Sequence, residues 1–132
     1  MANADIVVGA QLHGRGHQAN VYVAQSTIYK GDFVKKNAAG TVEVAAAGDA
    51  LLGVALNDAA ASGEVLVSDH PDQQFMVQAS AAEIDAQTDI GLNYNIVVGS
   101  ANATYKRSAM ELDSSTGATT AALPLKLIRI VA

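Results

Sequence analysis

His13 and His17 have the spacing of a local metal site, because two imidazoles four residues apart can meet on one ion when a helix carries them. The segment between them, Gly14-Arg15-Gly16, argues against that use: two glycines disfavour a helix, and the arginine places a cation where the ion would sit. The reading is a flexible or partner-bound loop without a metal. Ser68-Asp69-His70 contains the three residue types of a hydrolytic triad, yet neighbours on an extended chain project alternately and cannot line up a relay of hydrogen bonds. No G-x-S-x-G elbow accompanies them, and a turn ahead of Pro71 accounts for all three.

Acid–base catalysis would need two carboxylates in different environments facing one cleft. The candidates Asp32, Asp49, Asp58, Asp69, Asp72, Asp85 and Asp89 all stand in turn-like contexts, where aspartate is common for backbone reasons. They are expected to be solvated turn residues, and the stretch from Asp85 to Asp89 lacks the oxygen-ligand alternation of a calcium loop. Gly31-Asp32 and Gly48-Asp49 do not open a phosphate-binding loop. Lys35-Lys36 and Lys106-Arg107 are small basic spots, read as solvated faces. The expectation is no enzyme, no cofactor and no metal.

The bulk composition narrows the remaining classes. A formal charge of −5 repels a phosphate backbone, so nucleic acid is not an expected partner. Half the residues are hydrophobic but only 5% are aromatic, so the core must be built from Val, Leu, Ile and Ala, and stacking platforms for bases or sugars are scarce. There is no cysteine, hence no disulfide and no thiolate site. The apolar patch Ile6-Val7-Val8 is too short for a signal-peptide core or a membrane span, which predicts a soluble protein made in the cytoplasm, with no membrane partner. At 132 residues the chain is the size of one domain.

The elements that would carry these residues read as short strands. Hydrophobic periodicity is two-fold and is broken by Gly, Asp and Asn about every ten residues. Strands are predicted over residues 20–24, 28–34, 41–44, 51–56, 64–68, 74–78, 94–98, 109–112 and 124–131, with polar loops over 99–108 and 114–120. On the first of these Val21 and Val23 share one face and Tyr22 takes the other. Gly53, inside an apolar run, predicts a bulge or a close backbone crossing. Ser80-Ala81-Ala82-Glu83 has the form of a capping box, so at most one short helix is expected, over residues 81–86. Pro124 fits only at the start of a strand. Residues 1–19 carry three glycines and little pattern, and are predicted to be an extended arm that orders only against a partner; residues 20–132 form the domain. The fold class expected is mainly β, a small barrel-like single domain.

Two stretches carry a resemblance. The first is the series Tyr29-Lys30-Gly31-Asp32-Phe33-Val34, Ala39-Gly40-Thr41-Val42, Ala47-Gly48-Asp49-Ala50-Leu51-Leu52-Gly53-Val54-Ala55-Leu56-Asn57-Asp58-Ala59 and Gly63-Glu64-Val65-Leu66-Val67. The second is Asp69-His70-Pro71-Asp72-Gln73-Gln74-Phe75-Met76-Val77-Gln78-Ala79, then Asp89-Ile90-Gly91-Leu92-Asn93-Tyr94, Arg107-Ser108-Ala109-Met110-Glu111-Leu112-Asp113 and Leu123-Pro124-Leu125-Lys126-Leu127-Ile128. In both the chain resembles the capsid cement, or head decoration, proteins of tailed bacteriophages, over about residues 28–131. The resemblance implies a barrel-like or tulip-like domain, a homotrimer at the three-fold and quasi-three-fold positions of a mature icosahedral head, and a location on the outer surface of the virion. Its implied partner is the major capsid protein, and its implied job is to clamp shell interfaces. In the arm, Asp5, Ile6, Val7, Val8, Leu12 and Arg15 are then the expected capsid contacts, through pairing of a short β-prone patch with an exposed sheet edge. The rival class is a carbohydrate-binding or head-fibre-like module on the virion surface, against which the few tyrosines count.

Overall fold

The computed structural model describes residues 9–13, 19–70, 73–80, 89–99, 104, 108–119 and 123–128. Among these lie ten strands: β1 (Gln11–His13), β2 (Ala19–Val23), β3 (Phe33–Lys36), β4 (Val42–Val44), β5 (Gly53–Ala55), β6 (Glu64–Ser68), β7 (Gln74–Met76), β8 (Asn93–Val97), β9 (Glu111–Ala118) and β10 (Leu125–Lys126). They form three antiparallel sheets, of five strands in the order β2-β6-β5-β3-β4, of three in the order β10-β8-β9, and of two in the pair β1-β7. The chain is mainly β, as the two-fold periodicity requires. The helix expected over residues 81–86 lies outside the described residues.

The predicted hairpins of the large sheet form where the turn residues allow. Gly31-Asp32 belongs to a turn closed by a hydrogen bond from Asp32 N–H to Tyr29 O (3.0 Å), so the strand expected over 28–34 begins only at Phe33. Ile28 keeps just an isolated bridge to Ala59. The β3–β4 turn is built by Asn37, whose carboxamide oxygen accepts from the N–H groups of Ala39 (3.0 Å) and Thr41 (3.1 Å). Gly53 pairs with Val34 and passes so close to β6 that a side chain there would run into the Ser68 carbonyl oxygen. This is the close backbone crossing expected of it.

Strand alternation sends neighbouring residues into two cores. Val34, Val42, Ala55, Val65 and Val67, with Ala24 and Ile28, fill the inner face of the five-stranded sheet. Phe33, Val54 and Ala45, with Ile96, Met110 and Ala10, fill the opposite face under the three-stranded sheet. Phe33 packs edge-on to Phe75 with ring centroids 6.3 Å apart, which ties the two-stranded ribbon to this second core. A strand buried on both faces reads as a continuous apolar run, which is why Phe33-Val34 and Val54-Ala55 carry no polar alternation.

The barrel expectation is met only in part. The five-stranded sheet curls around the inner core until its two edges meet at a single parallel bridge between Ala24 and Val42, where Gln25 N–H donates to Val42 O (2.7 Å). Below that bridge β2 and β4 are not paired, so the sheet is curled and open and no closed barrel results.

Two further boundaries differ from expectation. The sequence places Gly9–His13 in the arm, but Ala10 is buried in the second core, its N–H donates to Gly31 O (2.9 Å), and β1 pairs with β7 through Gln11–Met76, Leu12–Phe75 and His13–Gln74. Gly9 has φ of +78° and presses against Gly31 O and Ser108, an approach that only glycine permits. The polar stretch 114–118, expected as a loop, continues β9 along β8, with Thr116 Oγ1 accepting from Asn95 N–H (2.9 Å) and a register irregularity between Asn93 and Asn95. β10 starts directly after Pro124, as that residue demands.

Candidate functional site

Side chains from three places in the sequence meet at one end of the curled sheet. Asn20, Tyr22 and Lys36 point to its inner side with Asp69, the residue that follows β6. The Asp69 carboxylate accepts from the Tyr22 hydroxyl (2.5 Å) and from Asn20 Nδ2 (2.9 Å), and the Lys36 ammonium lies 6.0 Å from the centre of the Tyr22 ring. Burial alone would raise the Asp69 pKa, but the bonds from Asn20 and Tyr22, together with a favourable charge on His70, hold it below the usual carboxylate value. Donating to Asp69 raises the Tyr22 pKa in turn. At neutral pH the pair is therefore a fixed phenol on an ionised carboxylate, with no proton poised to move. Its evident work is to pin the open end of β2 to the end of β6.

The triad reading of Ser68-Asp69-His70 fails on this geometry. Ser68 is buried on the face opposite Asp69, and its hydroxyl has no hydrogen-bond partner. Asp69 is engaged by β2 instead. His13 ends β1 opposite Gln74, while His17 lies outside the described residues. Among the described residues no three His, Asp or Glu side chains come together to hold a metal ion.

Most of the described carboxylates do what turn aspartates do. Asp49 accepts from Ala46 N–H (2.9 Å) and from Lys35 Nζ (2.8 Å), and the lysine pulls its pKa down. Glu43 shares that lysine at 3.4 Å. Asp58 caps Lys30 N–H at 2.8 Å. Asp32 departs from the expectation of a solvated turn residue, because it is only 4% exposed. Burial raises its pKa, opposed by a hydrogen bond from Ser108 and one from Tyr29 N–H (3.0 Å), and assisted by the nearby charge of Asp58. It sits in the 29–33 turn beside the point where Ala10 N–H donates to Gly31 O, so it is part of the internal packing. Of the basic spots, Lys35 is ion-paired and Lys36 leans over Tyr22, while Lys106 and Arg107 lie outside the described residues. Asp72 and Asp85 lie outside them as well.

Of the expected capsid contacts, Leu12 alone falls within the described residues; it is 44% exposed on β1. Asp5, Ile6, Val7, Val8 and Arg15 lie outside them. A strip of exposed apolar residues on β2 and β6 is not marked as exposed by the sequence. Val21 (60% exposed) and Val23 (47%) project outward from β2, and Leu66 (37%) stands directly opposite Val21 on β6. Alternation alone separates the valines from Tyr22 without saying which face is inside. The capping of Tyr22 by Asp69, a contact 47 residues away in sequence, decides it.

Comparison with protein-family models, with curated proteins and with solved structures finds no match to this chain.

Proposed function

We propose that the chain is a structural virion protein that binds the outside of a mature phage head and cements the interfaces between capsid proteins. The observation that carries this reading is the way the resemblance series maps onto one continuous unit. Its Gly-Asp and Ala-Gly pieces fall on the turns, and its Val-rich pieces fall on β3, β4, β5 and β6, four consecutive strands of the curled sheet. The exposed apolar strip of Val21, Val23 and Leu66 on β2 and β6 supports it, since contiguous apolar surface on a small domain marks contact with another macromolecule.

In this reading the partner is the major capsid protein, the chain works as a homotrimer at three-fold and quasi-three-fold positions, and the curled sheet is the barrel-like or tulip-like body. Asp5, Ile6, Val7, Val8, Leu12 and Arg15 supply contacts to the shell. The mechanism is mechanical: a clamp that binds the expanded lattice better than its precursor shifts the lattice population toward the expanded form. Heads of the encoding phage that lack the chain should rupture and release DNA at a lower temperature than decorated heads, and adding the purified chain should restore them. Heads that rupture at the same temperature with and without the chain would refute the proposal.

A further inference from the structure

Resting on the reading above for the identity of the partner, we propose that the open edge of β2, flanked by Val21, Val23 and Leu66, is a docking strip for an extended, apolar, basic-ended segment of the shell protein, which adds to the five-stranded sheet as a further strand.

The backbone is arranged for it. Ala24 donates its N–H to Gly63 O (2.8 Å) and accepts from Ser62 N–H (2.8 Å), both on the β6 side, while Gln25 N–H points the other way, to Val42 O. By the alternation of an antiparallel ladder, the N–H and C=O groups of Val21 and Val23 therefore point toward the open edge. Among the described residues no strand lies on that side over Ala19–Val23. Sheet proteins normally blunt such an edge with charge, proline or a bulge. The sequence Ala19-Asn20-Val21-Tyr22-Val23 has none of these.

The side chains point to the chemistry of the partner. The same two valines that present free backbone also present their side chains on the face whose β3 and β5 portions are covered by the second core. That cover reaches β6 only at Ser68, which is buried beside Val54, and leaves Leu66, Val21 and Val23 exposed beyond it. An added strand with an apolar residue at every second position would extend the burial. The charge beside the strip is acidic: exposed Glu64 stands opposite Val23 on the same face, and Lys36 is turned to the other face against Tyr22. A lysine or arginine at the end of the incoming strand meets Glu64.

The test uses the full-length chain and a synthetic heptapeptide that alternates valine with threonine and ends in lysine, alongside the same peptide ending in glutamate. Amide chemical shifts report where each binds. Perturbation and slowed exchange should concentrate at Ala19–Val23 and Leu66, with the lysine-ended peptide favoured about two- to five-fold, the size of an exposed ion pair. Glu64→Lys should reverse that preference, and Val21→Lys should abolish binding of both peptides while leaving the Asp69–Tyr22 contact and the rest of the spectrum in place. Absence of β2 perturbation at millimolar peptide, binding elsewhere, a preference indifferent to Glu64→Lys, or concentration-dependent dimerisation of the free chain through β2 would each overturn the proposal. The shell arm is separate: if wild type binds heads and Val21→Lys binds them equally, the docking strip is wrong and the cement reading stands; if peptides bind β2 and wild type does not bind heads, the cement reading fails and with it the assignment of the partner to the shell.

Discussion

Phe33 and Phe75 offer the sharpest probe of how the pieces of this fold are joined. Phe33 is 1% exposed on β3, and its ring meets Phe75 of β7 edge-on at 85°, so the pair links the curled sheet to the ribbon that holds the β1 segment. Replacing Phe33 with alanine removes a large buried side chain and leaves a cavity lined by Val54, Ile96 and Met110, at a cost of about 3–5 kcal/mol. Phe75 is only partly buried, and its truncation should cost roughly half as much. An edge-to-face pair contributes about 0.5–1.5 kcal/mol beyond its burial, which is the coupling that a double-mutant cycle would measure. The control cycle joins Phe33 with Val65, which lies in the other core across the sheet and should couple by less than about 0.5 kcal/mol. Urea denaturation monitored by circular dichroism, with the slope checked for constancy, supplies all the values. If Phe33→Ala costs under about 1 kcal/mol, or if the Phe33–Phe75 cycle couples no more than the control, the second core is not built as described.

The segment Gly9–His13 is part of the packed domain, with Ala10 in the second core and β1 paired to β7. Removal of residues 1–13 should therefore lower the melting temperature by stripping Ala10 from the second core and β1 from β7, as well as weakening attachment to heads; an unchanged melting temperature would contradict this. Gly53→Ala should destabilise by several kcal/mol, since its methyl group would meet backbone that cannot swing away, and unaltered unfolding would refute the close crossing. For Asp32, whose pKa is raised in the folded state by burial, the native chain holds the proton more tightly than the unfolded chain. Its contribution to stability is therefore fully favourable below the unfolded value of 3.8 and is lost as pH rises through the raised folded value. Asp32→Asn should remove that part of the pH dependence, so the variant gains on wild type toward neutral pH; a gap that widens in favour of wild type as pH rises would disprove the assignment.

The hairpins from β3 to β6 could be read from the chain because local and long-range demands agree there: Gly31-Asp32, Asn37 through Gly40 and Asn57-Asp58 supply turn chemistry, and valines alternate or run between them. The β1 segment could not. Its glycines lower its own tendency to order, and it is held by partners distant in sequence, Gly31 for Ala10 and Phe75 for Leu12. The polar residues 114–118 look like loop residues for a related reason, since their extended form depends on β8 alongside and on the Thr116–Asn95 bond. The candidate site shows the same division. Asp69 was visible as a turn residue, but its tie to Asn20 and Tyr22 spans nearly 50 residues, and with that tie goes the outward exposure of Val21 and Val23. Asp32, a turn residue by pattern, is buried and bonded to Ser108, a partner 76 residues away in sequence that no local signal encodes.

The cement reading is tested most directly by sedimenting the purified chain with two preparations of heads from the phage that encodes it, expanded DNA-filled heads and unexpanded precursor shells. The account predicts saturable co-sedimentation with the expanded heads, in threes at the three-fold and quasi-three-fold positions, and much weaker binding to precursors. Equal binding to both, or none to either, would contradict it.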